Sequence, residues 1–391
     1  AMLGYYMYHG GTNPKGKFST LEESKKTGYP NNVSVLSYDF RAPIRQFGQI
    51  SDTYQEIKLL ALFAKDFGED LVTLPAEIDP VGVNPEDMHT LRLSWRHDER
   101  HGYVFFNNYQ RKRRMDDHGG MILEGRYKEA PVEFPKLDIP SGSYGFFPYH
   151  LREGDSELIS ANATPLCRLR GENGTICVVF YGDWDPAFVW KDEKHFPILH
   201  LDRKQALQAW KVTLDQDYLI LSDDYVWEEN GKLHIEGEKD IVIRCYPKLK
   251  EFSVLPDGFE ACGRDQEFAL YRRREKAENT RVTVTEENRD ADSRIYDLKI
   301  TSPGTWRDTI LSLDFGGDKI EIFRDGEMIT DSYYTGEPVQ ISLRYFDFPE
   351  ELQVKIYPLK EGASKFLERW PQMKDGCACE LYVVGVKDLV W

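Results

Sequence analysis

The succession of short apolar and aromatic runs between residues 88 and 391 constrains the fold of this chain more than any other feature. Each run has the length of a β-strand, and polar or glycine-containing turns separate the runs. The clearest hairpin signals are Asn173-Gly174, Asn230-Gly231 and Asp325-Gly326. Short strands at regular spacing are typical of antiparallel β-sandwiches. The sequence therefore predicts a mainly β chain with two β-sandwich, jelly-roll-like domains.

A different pattern precedes these strands. Leu3–Tyr8 is an apolar and aromatic run that stops at Gly10-Gly11. A run of this length bounded by glycines predicts a buried strand that ends in a sharp turn. Because a buried strand needs hydrogen-bonded neighbours, we expect the chain to be the C-terminal portion of a larger protein.

One amphipathic helix is predicted over residues 52–67. Its apolar stripe recurs at helical spacing at Ile57, Leu60, Ala61, Ala64 and Phe67. Thr53 and Glu56 have the spacing of a capping box, and Gly68 is placed to end the helix in the left-handed conformation. A strand, a loop and this helix together form the pattern of one βα unit.

Two segments at the start of the chain carry a family resemblance. They are YYMYHGGTN at residues 5–13 and VLSYDFRAPIRQFGQ at residues 35–49. In the same order, they resemble the eighth barrel strand and the loop before the eighth helix in the β-galactosidases of glycoside hydrolase family 35. The later stretches HGYVFFNNYQRKRRM and ATPLCRL are similar to the β-sandwich domains of that family.

The resemblance and the change of pattern divide the chain into four predicted segments. Residues 1–74 are expected to be a βα remnant of a (β/α)8 barrel, with strand eight, a loop and helix eight. Residues 75–87 contain Pro75, Pro80 and Pro85 and are expected to be a linker. The two β-sandwich domains are predicted at residues 88–250 and 251–391.

The resemblance also implies where catalysis would occur. A retaining glycosidase needs one carboxyl group to protonate the leaving oxygen and a second to attack the anomeric carbon. In family 35 these groups are glutamates on barrel strands four and seven, which precede the strand matched here. No residue of this chain is therefore assigned a catalytic role, and we expect the chain alone to be inactive.

The resemblance implies that Tyr6 contacts galactose, because it matches the tyrosine of the family's YMF segment. Tyr8 alternates with Tyr6 on the same predicted strand face and competes for this substrate-binding role. A packed aromatic of the barrel wall is the alternative for both. The turn that follows is expected to be shaped by His9, Gly10, Gly11 and Asn13, since glycine permits backbone conformations closed to other residues. Asp39 is expected to order its loop.

Four tryptophans of the β region pose a choice between sugar stacking and core packing, and we expect core packing for Trp95, Trp184, Trp190 and Trp306. Trp184 and Trp190 lie in the loop-like stretch GDWDPAFVW, and we expect them to be the most exposed of the four. The neighbouring Asp183 and Asp185 are weak evidence for a calcium site.

The net charge and the spacing of the cysteines exclude further classes of function. The formal net charge is −16, which argues against a nucleic-acid or anionic-membrane partner. The basic cluster at residues 111–114 precedes Asp116 and Asp117 and is expected to be a solvated turn. The six cysteines lack zinc-site spacing and are expected to be free thiols in a reducing cytoplasm. We predict no metal and no cofactor.

The function expected from the resemblance is that of a retaining exo-β-galactosidase, which removes terminal β-galactosyl residues from oligosaccharides or glycoconjugates. Its partner is a β-galactoside substrate, bound through the complete parent protein. The alternative is a non-catalytic carbohydrate-binding or assembly module built from β-sandwiches. Assembly into a homo-oligomer is left open.

Overall fold

The structure is a computed structural model that describes residues 4–17, 34–81, 84–127, 130–290, 293–304 and 306–391. It is mainly β with many antiparallel sheets, as predicted. The α-helices of the described residues are α1, Asp52–Thr73, and α2, Arg203–Leu207. Single turns of 3-10 helix occur at Phe252–Val254 and Arg344–Phe346.

Sheets A and B form the region that packs against α1. Sheet A is a six-stranded antiparallel sheet in the order Phe188–Trp190, Ser156–Ala161, Tyr144–Glu153, Gly102–Asn107, Arg92–His97 and Ala76–Ile78. Sheet B has the order Thr164–Arg170, Ile176–Tyr181 and Ile198–Leu201, with the last pair parallel. Beside them lie two short pairs, His118–Met121 with Leu137–Ile139 and Glu124–Gly125 with Val132–Glu133.

Sheet C continues the chain with five antiparallel strands. Their order is Ala209–Thr213, Asp217–Leu221, Asp240–Tyr246, Phe268–Arg274 and Phe259–Asp265. The hairpin Tyr225–Glu229 with Lys232–Glu236 packs on it and shares its core. The predicted domain boundary at residue 250 falls between strands of this one sheet. Likewise, Ala76–Ile78 of the predicted linker pairs with a strand of sheet A.

Sheets D and E form a sandwich around one core at the C-terminal end of the described chain. Sheet D has the order Arg281–Asp290, Ser293–Thr301, Glu351–Tyr357, Lys319–Arg324 and Glu327–Tyr333. Sheet E has the order Val339–Ser342, Asp308–Gly316 and Glu380–Leu389. A short pair, Leu359–Lys360 with Cys377–Ala378, accompanies them. Apolar side chains from the inner faces of both sheets interlock in one buried cluster.

The predicted hairpin turns are confirmed. Asn230 and Gly231 have φ angles of 53° and 74°, and Asp325 and Gly326 have 51° and 77°. Two consecutive left-handed residues form the turn that matches the twist of antiparallel strands. Gly174 has a φ of 79° in the loop between the first two strands of sheet B.

Helix α1 differs from the prediction at both ends. Its N-cap is Ser51, which makes no capping hydrogen bond with its side chain, so the capping box predicted at Thr53 and Glu56 is wrong. The helix also passes through Gly68 and ends at Thr73, since Gly68 keeps a helical conformation. Gly68 is therefore not the predicted C-terminal cap.

The buried face of α1 is also shifted from the predicted stripe. Of the predicted stripe, Phe67 is buried and Ile57 is half-buried, whereas Leu60, Ala61 and Ala64 are exposed. Leu59 and Phe63 are buried instead of these three. Phe63 and Phe67 belong to the core that sheets A and B share. Burying two phenylalanines removes more apolar surface from water than burying two alanines, and this favours the observed orientation.

Lys58 lies on the buried face of α1. Its ammonium group donates a hydrogen bond to the carbonyl oxygen of Leu207 at 3.0 Å and lies 3.7 Å from the centre of the Trp210 ring. Burial lowers the pKa of Lys58 to about 7, because the charged form loses its hydration.

We expect the wild-type chain to gain stability relative to Lys58→Met as the pH rises from about 7 to about 10. In this range the unfolded chain retains the Lys58 proton and the folded chain has released it, so a rising pH favours folding. Urea unfolding at both ends of the range measures the difference. Lys65→Met, at an exposed position of the same helix, is the matched control. A difference between wild type and Lys58→Met that does not change with pH would contradict the lowered pKa.

Other predictions from the sequence have mixed outcomes. Trp95 and Trp306 are buried as expected. Trp184 and Trp190 are partly buried, and each packs against other aromatic rings.

The basic cluster at 111–114 lies in an exposed turn. All six cysteines lie in the described part of the chain and are unpaired. No helix in the described ranges is both long and apolar enough to cross a bilayer.

Candidate functional site

The two segments that carry the family resemblance meet in the structure. Gly11–Thr12 pairs antiparallel with Ser37–Tyr38. The amide of Gly10 donates to the carbonyl of Ile44 at 2.8 Å, and the amide of Ile44 donates to the carbonyl of Tyr8 at 3.0 Å. Backbone hydrogen bonds therefore hold the end of the first segment beside the second.

The described part of the structure does not contain the strand predicted at Leu3–Tyr8. Leu3 lies outside the described residues, and residues 4–8 adopt no strand conformation. A strand requires continuous backbone pairing, whereas the pairing described here is restricted to Tyr8, Gly10 and the residues that follow. Tyr6 and Tyr8 consequently do not alternate along a common strand face.

Five aromatic side chains of these segments form an exposed surface, which we call the aromatic platform. Its members are Tyr5, Tyr6, Tyr8, Tyr38 and Phe40. The Tyr6 side chain is 94% exposed, which excludes core packing for it within this chain. A hydrogen bond with Tyr6 is the main cause that raises the pKa of Tyr38. The two segments thus place the Tyr6 and Tyr38 phenols close together at the surface.

Ring contacts join the platform to the protein interior. The Tyr38 and Phe40 rings meet edge to face at 4.8 Å, and the Tyr5 and Tyr8 rings lie 5.8 Å apart. Tyr54 of α1 lies 6.2 Å from the Tyr8 ring and is stacked on the Trp210 ring at 6.3 Å. Such contacts fix ring positions without enclosing the outer faces.

Asp39 orders the loop that carries the platform, as expected from the sequence. Its carboxylate accepts hydrogen bonds from the amides of Arg41 and Gln46 and from the guanidinium of Arg45 at 2.7 and 2.9 Å. Carboxylates that accept several hydrogen bonds from turn backbone hold the turn in one conformation.

Asp331 anchors the second segment to sheet D. Its fully buried carboxylate accepts hydrogen bonds from three successive amides, those of Val35, Leu36 and Ser37, at 2.7, 2.8 and 3.2 Å. The ammonium group of Lys319 lies 3.4 Å away. Phe47 adds apolar contact with the rings of Tyr345 and Phe346. The C-terminal sandwich therefore positions the platform.

The residues predicted to shape the turn have different surroundings. Gly10 is buried, and a Cβ atom there would lie only 3.0 Å from the Cα of Asp39 and from the amide of Gln46. A Cβ at Gly11 would meet open space, and His9 is exposed. Asn13 is buried and donates to the carbonyl of Val35 at 3.1 Å. Gly10 and Asn13 thus have a steric or hydrogen-bonding reason for their identity.

Sequence reasoning missed Tyr38, Phe40 and Asp331. The aromatic residues of the SYDF stretch offered a signal, because they flank the aspartate that was singled out. Asp331 offered none, since it lies 294 to 296 positions from its partners.

Comparisons with known proteins do not identify a family for this chain. No protein-family model matches it, and a search of curated proteins finds no match.

The chemistry of the platform suits a polyhydroxylated ligand. Aromatic faces pack against the apolar C–H face of a sugar ring, and phenol hydroxyls donate or accept hydrogen bonds with its hydroxyl groups. No group of three or more potential metal ligands is found among the described residues.

Proposed function

We propose that this chain belongs to a retaining exo-β-galactosidase of glycoside hydrolase family 35 and supplies the last βα unit of its barrel and its C-terminal β-sandwiches. The observation that carries the proposal is the joint exposure of Tyr6 and Tyr38. Each comes from one of the two segments that resemble the family, and both phenols face solvent, where a sugar can reach them.

The exposed stripe of α1 supports the barrel part of the proposal. Leu60, Ala61 and Ala64 are exposed apolar residues of α1, with Leu60 38% exposed, while Phe63 and Phe67 pack in the core that sheets A and B share. In a complete barrel, an eighth helix would have neighbouring helices and strands to cover such a face.

In this proposal, Tyr6 donates a hydrogen bond to a galactose hydroxyl or to the nucleophilic carboxylate. The two catalytic glutamates of the retaining mechanism would lie on other barrel strands. Tyr38, whose phenol interacts with that of Tyr6, would orient the Tyr6 phenol. Asp39 and Asp331 would hold the loop that carries Tyr38.

The chain by itself is expected to release no nitrophenol from o-nitrophenyl β-galactoside, with an equal amount of a known β-galactosidase as positive control. The physical reason is that one platform of phenols supplies neither a general acid of suitable pKa nor an attacking carboxylate. Turnover that survives repurification and is not due to a contaminating enzyme would contradict the proposal that both catalytic carboxylates lie outside this chain.

Sugar binding tests the platform itself. We expect saturation-transfer NMR to detect methyl β-galactoside bound to the chain, and we expect Tyr6→Ala to weaken binding about fivefold because it removes both stacking surface and a hydroxyl. The affinity of Tyr6→Phe for methyl β-galactoside is expected to lie between those of wild type and Tyr6→Ala. Tyr109→Ala, another exposed tyrosine, is the control. Equal signals from wild type and Tyr6→Ala would contradict a substrate-binding role for Tyr6.

A non-catalytic carbohydrate-binding or assembly module is the second candidate. The observation that favours it is an exposed aromatic surface on a β-rich scaffold to which no catalytic carboxylate pair is assigned. Binding that is equally strong for methyl β-galactoside and methyl β-glucoside would favour this second function, because an exo-galactosidase site distinguishes the two sugars at one hydroxyl group.

A further inference from the structure

A cavity whose lining contains no residue of the aromatic platform lies where sheet A, sheet B and the start of α2 meet. It is a cleft of about 420 Å³, within the range of roughly 300–1,000 Å³ that is usual for small-molecule sites. The side chains that give it its chemical character are Asp138, Tyr144, Tyr181, Asp183, Trp184 and Arg203.

The aromatic walls of the cleft are held in place. The guanidinium of Arg203 donates to Glu56 and to the hydroxyl of Tyr144, both at 2.6 Å. The indole nitrogen of Trp184 donates to the carbonyl of Asp138 at 2.6 Å. The Trp184 ring also packs against Phe106 in the core. Side chains fixed in this way lose little conformational entropy when a ligand binds.

Two polar groups of the cleft remain available. The Asp183 carboxylate is exposed, and neither it nor the Tyr181 hydroxyl makes a hydrogen bond within the part of the chain that the structure describes. Together they offer a strong acceptor and a donor beside the rings of Tyr144 and Trp184.

The charges of the cleft select against an anionic ligand. The exposed Asp183 carboxylate repels an anion, and the Arg203 guanidinium that could attract one is already paired with Glu56. Aliphatic side chains are almost absent from its lining, so it offers no pocket for the side chains of a peptide. A neutral ligand with apolar faces and many hydroxyl groups fits all of these features.

We propose that this cleft is a binding site for a short neutral saccharide, with Tyr144 and Trp184 as stacking surfaces and Asp183 as hydrogen-bond acceptor. The site is independent of the galactosidase assignment, because it shares no residue with the aromatic platform. Its role is to hold a carbohydrate chain at a position separate from any catalytic centre.

Saturation-transfer NMR and titration of the whole chain with lactose, cellobiose and maltose test this site. We expect at least one disaccharide to bind, and we expect Tyr144→Ala to weaken its binding about tenfold. Asp183→Asn, at an exposed position without internal hydrogen bonds, is expected to weaken binding several-fold without affecting folding. Tyr109→Ala is the matched control, since Tyr109 and Tyr144 are each 49% exposed.

The variants separate this site from the platform. Binding that is reduced by Tyr144→Ala and Asp183→Asn but not by Tyr6→Ala supports the cleft, whatever happens with methyl β-galactoside. Binding that responds only to Tyr6→Ala, or no binding of any of the three disaccharides at concentrations well above about 1 mM, overturns it. Methyl β-glucuronide that binds as well as methyl β-glucoside would overturn the argument from charge.

Discussion

Replacement of Asp331 by alanine is expected to destabilise the chain by about 3 kcal/mol and to release the loop that carries Tyr38 and Phe40. The carboxylate is fully buried and accepts hydrogen bonds from three successive amides. Alanine leaves these amides without their acceptor, and each unsatisfied buried donor costs roughly 1–3 kcal/mol unless water reaches it. Detachment of the loop therefore lowers the free energy of the variant, because water can then reach the three amides.

Two measurements separate detachment from general destabilisation. Urea unfolding gives the loss of stability, and hydrogen exchange followed by mass spectrometry reports on the amides of residues 35–37. We expect these amides to exchange faster in Asp331→Ala under native conditions, while the strands of sheets A and B keep their protection. Asp331→Asn, whose amide oxygen still accepts hydrogen bonds, is expected to have a stability and exchange rates between those of wild type and Asp331→Ala.

A matched control is available on the same sandwich. Asp314 is an exposed aspartate on a strand of sheet E, and its replacement by alanine is expected to change stability by less than about 0.5 kcal/mol. If Asp331→Ala lowers stability but leaves exchange at residues 35–37 unchanged, then Asp331 does not act as the anchor of the platform. Sugar binding to the platform is expected to fall in parallel with the release of the loop.

The second large effect is expected at a buried ionic cluster that joins α1 to sheets B and C. The ammonium group of Lys211 lies 2.7 Å from the Asp66 carboxylate and 3.3 Å from that of Asp217, and all three side chains are at most 6% exposed. The backbone amide of Arg168 also donates to Asp66 at 2.8 Å. Lys211→Met is expected to cost about 3–5 kcal/mol, because it removes the buried cation that lies closest to both carboxylates and leaves them only the more exposed Arg170.

The pH dependence of this cluster has a defined sign. Burial alone raises the pKa of Asp66, but hydrogen bonds from Lys211 and Arg168 outweigh it and hold the pKa below its ordinary value. The folded chain then binds fewer protons than the unfolded chain, so the ionised carboxylate contributes stability that is lost as the pH falls below about 4. We expect Lys211→Met to reduce this loss at acidic pH.

Chemical unfolding of Lys211→Met, Asp66→Asn and the double variant measures the coupling directly. We expect the double variant to be more stable than the sum of the two single changes implies, because each change removes the partner that the other leaves unpaired. Lys65→Met on the exposed side of α1 serves as the control. Additive effects of the two changes would contradict a direct ion pair between Lys211 and Asp66.

The local features of the fold could be predicted from the sequence. The Asn-Gly and Asp-Gly turns of the hairpins were identified correctly because their left-handed conformations depend on the turn residues themselves. The mainly β character followed from the strand-length apolar runs, and the existence of α1 followed from its helical periodicity. Asp39 was recognised as a residue that orders its loop, since its hydrogen-bond partners lie within seven positions.

Features that depend on distant partners were decided only by the tertiary structure. The buried face of α1 could not be chosen from the sequence, because both the aromatic and the alanine-rich faces are apolar and sheets A and B select the former. Residues 4–8 have the composition of a strand, but a strand also requires a neighbour with which to pair. The positions of Asp331 beside residues 35–37 and of Lys211 beside Asp66 arise from contacts between residues that are 145 or more positions apart. Such contacts leave no local pattern in the sequence, since their energies come from burial and charge that exist only after the chain has folded.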